Sequence, residues 1–498
     1  METEITGQLQ QMNSHQGTGS KFRSYFSFKN ECQKKNFIQT CCVYFNFILL
    51  GWTYGQLGTA FQDLQLILGT NVEQTSLLFT VNSVGYMAGS LTIGFIYDKV
   101  EHLKLLGAVS LINAVTSTLS PWCTKYGLFL FVRLLDGFLA GGRDSGGNAK
   151  IMSCWGKEGG PFMLALHFTY SIGGIISPLV TRFFLAPKLT NHEISNNTSE
   201  MQILNVSSNY SISDFYHNIS LKTNKEVKEI TTYGETKIHW AFLITGLLTA
   251  LSGFIYLTLF CKGFERVSTY VKPIEKKIEA QTSSKDIERV RLSKNQTVLF
   301  VILIALSVTS STAVECKGLS FIMPFVLLQL NWSKSNGAFL ISLLWTFYSI
   351  GRFSGIIVSR FVRPHKIIIA NSFLIIISCG VLYFGAVYNI AGIVWTMVPL
   401  MGVGISCMFP TFIVWTHENV LKISGKVGGF FQFCGSLGCF IDPLYIGALM
   451  ENVSPLYFVY FQIIQCTFTL VVFVINMIWV AKMRRNCRTH RQQKDRDG

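Results

Sequence analysis

The sequence predicts an all-α membrane protein of twelve transmembrane helices arranged as two similar six-helix halves. Three observations predict it: an apolar composition, a regular succession of apolar runs, and a duplicated set of motifs. Hydrophobic residues make up 49% of the 498 positions and charged residues only 14%, too little polar surface to cover a water-soluble globule. Forty Phe and 42 Gly against 11 Pro suit helices packed in lipid, where Phe is cheap to expose and Gly lets backbones approach. The 13 Cys are expected as small apolar packing residues rather than as a disulfide framework, since most lie inside apolar runs and their number is odd.

Apolar runs of membrane-crossing length fall near 37–60, 74–97, 104–122, 126–149, 160–186 and 238–261, then near 297–328, 337–361, 365–388, 391–415, 427–449 and 455–482. A polar loop over 188–237 and a basic one over 262–296 interrupt them and are too polar to span. The expected organisation is therefore a tail (1–36), a six-helix half (37–261), a central loop (262–296), a second half (297–482) and a basic tail (483–498). No apolar stretch precedes residue 37, so the first membrane helix is expected to serve as its own insertion signal.

Orientation follows from Lys and Arg. Lys21, Arg23, Lys34 and Lys35, then Lys99 and Lys104, then Lys150 and Lys157, the central loop and the C-terminal tail all fall on one side. The short loops opposite hold little beyond Lys125 and Lys334. The positive-inside rule places both termini in the cytosol and accounts for the net charge of +15. Spread over membrane-flanking loops, that charge suits anionic lipid, and nucleic acid is not an expected partner. Asn196, Asn197, Asn205, Asn209 and Asn218 each begin an N-x-S/T sequon in the 188–237 loop, on the side where glycans are added.

The duplication is read from three matched segments. Gly94-x-x-x-Asp98 ends span two, and Gly355-x-x-x-Ser359 ends span eight. Gly156-Lys157-Glu-Gly-Gly recurs as Gly425-Lys426-Val-Gly-Gly. Ser171-Ile-Gly-Gly-Ile-Ile-Ser177-Pro178 recurs as Ser436-Leu-Gly-Cys-Phe-Ile-Asp442-Pro443. Such a parallel repeat creates a pseudo-twofold axis along the membrane normal, with a solute site between the halves and alternating access by rocking. Gly94 and Asp98 are expected at an inner gate, and Pro178, Asp442 and Pro443 at bends that move with it. Isolated glycines such as Gly85 and Gly89 need no such role.

Charges inside a membrane helix need a partner or a task. Span four carries Arg133, Asp136, Arg143 and Asp144, and Arg133, Asp144 and Asn148 share one face of the helix. His167 on span five is expected at the depth of Asp144, so that Asp144, His167 and Arg133 become the candidate coupling residues; a purely structural ion pair is the competing reading. Glu315 precedes Lys317, which could neutralise it, and Pro324, which should break span seven toward the outside. Arg352 is expected as a gate residue. Amides and aromatic faces suit a neutral polyhydroxylated solute, with Gln56, Asn82, Asn148, Tyr170, Glu315, Trp345 and Gln432 as candidate contacts.

Asp144-Ser-Gly-Gly-Asn148, Trp155-Gly-Lys-Glu-Gly-Gly-Pro161 and Ala165-Leu-His167-Phe168 resemble the signature of the animal sodium-dependent glucose transporter family, in the fucose–proton symporter-like branch of the major facilitator superfamily. Leu57-Gly58 with Asp63-Leu64, Ala313-Val-Glu315 and Phe409-Pro410-Thr411 are similar too. The resemblance implies the major facilitator superfamily fold, a central hexose site and sodium as coupling ion, with the functional acid at Asp144 and the motif's amide at Asn148. An acid expected in span one of proton-coupled members is missing from Tyr54-Gly-Gln56-Leu-Gly58, and Thr59-Ala60 stands where glucose members carry Pro. No H-E-x-x-H, G-x-S-x-G or P-loop pattern suggests an enzyme. The expected protein is a monomeric, glycosylated plasma-membrane sugar transporter without a bound cofactor. A transporter of another organic solute, recognised through Arg133 and Arg352, and a non-transporting sensor are the alternatives.

Overall fold

The computed structural model describes residues 31–97, 99–156, 159–188, 233–264, 293–359, 361–420 and 425–494. Asp98, the five sequons and most of the 188–237 and 262–296 loops lie outside the described residues. Helices cover the expected runs in order. Spans one to six are Glu31–Leu68, Val72–Tyr97, His102–Leu119, Tyr126–Trp155, Gly159–Thr181 and Ile238–Cys261. Spans eight, nine, eleven and twelve are Lys334–Val358, Pro364–Val387, Gly425–Asn452 and Tyr457–Lys494.

Spans seven and ten are each two helices. Span seven is Lys294–Ser320 and Ile322–Leu330, broken at Phe321 (φ −105°, ψ 7°). Span ten, expected to be continuous, is Ala391–Ser406 and Met408–Asn419, broken at Cys407 (φ −108°, ψ 2°). Proline causes both. Lacking an N–H, Pro324 cannot satisfy the Ser320 carbonyl, nor Pro410 that of Ser406, and each helix restarts two residues before its proline, in the first turn where the missing N–H costs nothing. The freed Ser406 carbonyl accepts from Arg352 Nε at 3.4 Å, so a break in span ten helps to hold a charge on span eight. Pro178 and Pro443 stay within continuous helices, where they free the carbonyls of Gly174 and Cys439.

Helix contact in the first half depends on absent side chains. A Cβ at Gly85 or Gly89 would overlap the carbonyls of Leu134 or Phe138, and one at Gly141 would overlap that of Tyr86. Spans two and four therefore touch backbone to backbone, and Gly85 and Gly89 are structural seats rather than incidental glycines. Gly94 is looser: its nearest neighbour would be the Ser145 hydroxyl at 3.6 Å.

The charged face expected on span four divides into separate networks. Arg133 pairs with Asp136 at 2.9 Å, both 1% exposed. Asp136 also accepts from Asn113, Thr116 and Ser117 of span three at 2.8, 3.2 and 2.6 Å. Arg143 donates to Asn46 Oδ1 at 2.8 Å and Asn113 Oδ1 at 2.6 Å. These bonds tie spans one, three and four into one unit and give each arginine a partner within the first half. Arg133 is thus a structural partner of Asp136 rather than of Asp144.

Candidate functional site

The end of the bundle bearing the 69–71 turn is the one that basic residues assign to the outside, and is termed the outer end. It is closed. Asp63, on the last turns of span one, meets Lys334, the first residue of span eight, at 2.6 Å, with side chains 0% and 4% exposed. Asp63 also accepts from the Ala186 amide at 2.8 Å and from the Thr236 hydroxyl. The Tyr233 ring covers the Lys334 ammonium at 4.1 Å. Burial pushes the Tyr233 phenol up, with the Asp63 charge adding to it. Below this pair, Phe61 and Phe79 of the first half pack on Phe321 of the second with centroids 6.2 and 5.5 Å away.

A cavity of about 20 Å³ follows, room for a single water, lined by residues including Tyr54, Asn82, Ser83, Cys316, Lys317, Ser320 and Asp442. Asn82 lies here but gives its amide to the Arg133 carbonyl at 3.1 Å. Cys316 and Cys439 are joined by a disulfide (Cα–Cα 5.5 Å), contrary to the expectation that the cysteines only pack. Asp442 is more than a helix-bend cap. It binds Lys317 at 3.1 Å and accepts from Tyr445 and Gln465, each at 2.6 Å, fastening spans seven, eleven and twelve together. Lys317 therefore neutralises Asp442 and not Glu315.

Deeper still, rings cross from one half to the other. Tyr54 packs on Tyr170 at 6.3 Å, Tyr170 on Trp345 at 5.8 Å, and Trp345 on Tyr348 at 5.4 Å. Gly174 permits this, since any Cβ there would strike the Trp345 indole. Glu315 accepts from the Tyr348 hydroxyl and lies 3.6 Å from Arg352, whose guanidinium stacks 4.4 Å from the Tyr348 ring. Arg352 also reaches the His167 carbonyl across the seam at 3.4 Å. The expected gate residue is thus part of the central cluster, because the side chain extends up its own helix toward Tyr348 and Glu315.

In the first half, Asp144 accepts from the Tyr86 hydroxyl and from Asn148 Nδ2 at 3.0 Å. Among the described residues His167 is not its partner. Its ring instead meets Phe47 edge-on at 6.2 Å, and the residue is exposed. Gln56 is turned away from the centre: its carbonyl accepts from Thr245 of span six at 2.8 Å, beside Trp52, which donates to the same hydroxyl at 2.8 Å. Gln432 is exposed on span eleven, outside the ring cluster.

Of the predicted contacts, Asn148, Tyr170, Glu315 and Trp345 are therefore brought to the central region with Asp144 and His167, whereas Gln56 and Gln432 are not. Tyr86 and the Asp63–Lys334 pair escaped sequence reasoning. The available signal for Tyr86 was its spacing of four from Asn82 on a glycine-rich helix facing span four.

Among the described residues, the carboxylates away from the ends of the spans fall into two kinds. Asp63, Asp136, Glu315 and Asp442 each face a lysine or arginine. Asp144 faces only a phenol and an amide.

A duplicated twelve-span bundle with a closed outer end and a polar centre between its halves is the architecture of a solute carrier. The family model described as Major Facilitator Superfamily matches residues 37–188 and 230–443. The chain belongs to that superfamily. It is 26% identical to the mouse (Mus musculus) sodium-dependent glucose transporter 1A, over 87% of this chain and 95% of that protein. It is 25% identical to the human (Homo sapiens) sodium-dependent glucose transporter 1, over 82% of this chain and 73% of that protein. Among solved structures it resembles the nucleoside transporter NupG (TM-score 0.58, 12% identity, covering 89% of this chain and 99% of that one). A bacterial homologue of the lysosomal transporter Spinster, solved inward-facing and occupied, is as similar (TM-score 0.58, 14% identity, 90% and 96% covered). At such identities the solved structures attest the fold, and this superfamily member is a multi-pass membrane transporter.

Proposed function

We propose that this transporter carries a neutral hexose, glucose first among those to be tested, by rocking of its halves, and that a sodium ion bound at Asp144 drives it. The observation that carries the coupling is the isolation of Asp144. An ionised carboxylate in a membrane span is costly without a counter-charge. Where the other acids away from the span ends have a lysine or arginine, Asp144 has, among the described residues, only the Tyr86 hydroxyl and the Asn148 amide. A small cation completes such a set, and the Asn148 carbonyl oxygen, buried without a partner among the described residues, is a further ligand for it.

The centre favours a neutral solute over an anion because Arg352 is already balanced by Glu315 at 3.6 Å. Paired, the two offer a donor fork and an acceptor to adjacent hydroxyls, while Tyr170 and Trp345 offer ring faces to the sugar's C–H surface. The names of the curated relatives agree with this reading. On this reading the protein sits in the plasma membrane with both termini in the cytosol, an orientation that its basic loops support.

Labelled glucose uptake into cells expressing the chain tests it, with sodium replaced by choline and with external pH varied. Sodium-dependent uptake that Asp144→Asn abolishes at equal surface expression is the expected result. If concentrative uptake and ion dependence both survive that substitution, coupling at Asp144 is wrong. Solute binding without flux would make the chain a sensor.

A further inference from the structure

The halves meet along two seams of opposite character. Along spans two and eleven the seam is polar and tight: the Ser76 hydroxyl donates to the Pro443 carbonyl at 2.9 Å and Thr80 to the Phe440 carbonyl at 3.2 Å. Gly447 makes room for Ser76 there. Along spans five and eight the helices leave a cavity of about 380 Å³ between Phe168, Ile175, Thr346, Ser349, Ile350 and Phe353.

This cavity offers nothing polar. Thr346 donates to the Ser342 carbonyl at 2.8 Å and Ser349 to the Trp345 carbonyl at 2.9 Å, so both hydroxyls of the lining are satisfied by their own helix. At its outer end the Ser342 hydroxyl crosses the seam to the Ile175 carbonyl at 2.8 Å, and at its inner end the rings of Phe168 and Phe353 approach to 6.5 Å. Ile350 and Phe353 are 53% and 59% exposed on the flank of span eight that carries Ile357, well inside a 25-residue helix, where the surrounding solvent is hydrocarbon. From Phe168 to Ile175 the groove runs about 10 Å along the helix, on the scale of an acyl chain segment rather than a side chain. Arg363 and Lys366 follow span eight at the basic end, close to the depth of a phospholipid headgroup.

We infer that the seam between spans five and eight is a binding site for one acyl chain of a membrane phospholipid, from the leaflet on the basic side. The bound chain lies between two helices that shift relative to each other whenever the halves rock. It fills the apolar wall beside Trp345 and Tyr170 without entering the polar centre.

The test uses the full-length protein in membranes containing a phosphatidylserine that bears a photoreactive diazirine at mid-chain, with a free fatty acid carrying the same group in a parallel sample. The expected result is labelling of the 346–358 peptide by the phospholipid, reduced at least tenfold in Ile350→Trp, which fills the groove. Phe373→Trp, an exposed position on span nine, is expected to leave it unchanged. Labelling from the fatty acid alone would make the site one for free amphiphiles and overturn the phospholipid assignment. Phospholipid labelling that Ile350→Trp leaves intact would overturn the site itself. Should Ile350→Trp fail to fold, the wild-type labelling map decides: label confined to spans five and eight supports the site, and label spread evenly over lipid-facing helices refutes it.

Discussion

Lys334→Met tests whether the Asp63–Lys334 pair holds the outer end shut. In the closed state the pair is almost fully buried at 2.6 Å, so removing the ammonium leaves Asp63 charged with only the Ala186 amide and Thr236 hydroxyl to bind it. Breaking one partner of a buried ion pair costs about 3–5 kcal/mol. The two remaining hydrogen bonds argue for the lower figure, about 3 kcal/mol. Opening the outer end hydrates Asp63 and relieves that cost, so the outward-open population rises by about a hundredfold. A cysteine at Ser83, which lines the small cavity beneath the Phe61–Phe79–Phe321 layer, reports the change through its rate of labelling by an impermeant thiol reagent added outside. Labelling should accelerate strongly with Lys334→Met. It should fall back toward the parent rate in Asp63→Asn/Lys334→Met, where no charge is left buried. An unchanged rate in the single variant at equal surface expression would refute the latch. Equal acceleration in single and double variants would mean that packing, not charge, was lost.

Three further outcomes are expected. Glu315→Gln leaves Arg352 without its counter-charge, which should lower neutral-hexose transport about tenfold to a hundredfold and raise competition by organic anions; competition uptake measures both. Gly141→Ala sets a methyl against the Tyr86 carbonyl and pushes span two from span four, an overpacking cost of about 1–3 kcal/mol. If Tyr86 holds Asp144 as described, sodium affinity should fall more than hexose affinity does, and equal losses would point to general misfolding. Glycosidase treatment should shift the gel mobility of the intact protein, and deletion of residues 190–222 should remove most of the shift; a shift that survives the deletion would reverse the topology.

The helices were legible because lipid leaves little choice: a backbone in hydrocarbon must satisfy itself, so long apolar runs become helices wherever they occur. The break in span seven was legible from Pro324, whereas that in span ten was not, because a proline alone does not decide: Pro178, Pro399 and Pro443 lie inside continuous helices. Partnership between charges was the least legible feature. Periodicity placed Arg133, Asp144 and Asn148 on one face, but Arg133 found Asp136 one turn away and Asp144 found Tyr86 on another helix. Helix-wheel arithmetic fixes direction within one helix and says nothing of which neighbour arrives there. Gln56 failed for that reason too: its position in span one was right, and the Thr245 hydroxyl of span six drew its side chain away from the centre.

The two halves, copied in sequence, differ in how their first and last spans are joined, and that difference bears on where coupling resides. In the first half spans one and six meet through the neutral set of Trp52, Thr245 and Gln56. In the second, spans seven and twelve meet through Lys317 and Gln465, with Asp442 of span eleven closing the group. Lys317 is a cation fixed to the chain and lies where Asp442 and Gln465 would otherwise present oxygens to an ion. With Glu315 likewise answered by Arg352, the described charges of the second half's centre are internally balanced. An external cation has nothing to gain there. The uncompensated acid lies in the first half at Asp144, so on the proposed reading the ion binds to one half while the Glu315–Arg352 pair of the other receives the sugar. The sugar then bridges the halves, from the Tyr170 ring of the first to the Trp345 ring and the Glu315–Arg352 pair of the second, and an ion at Asp144 favours closure by ordering the first half's side of that site, as symport requires.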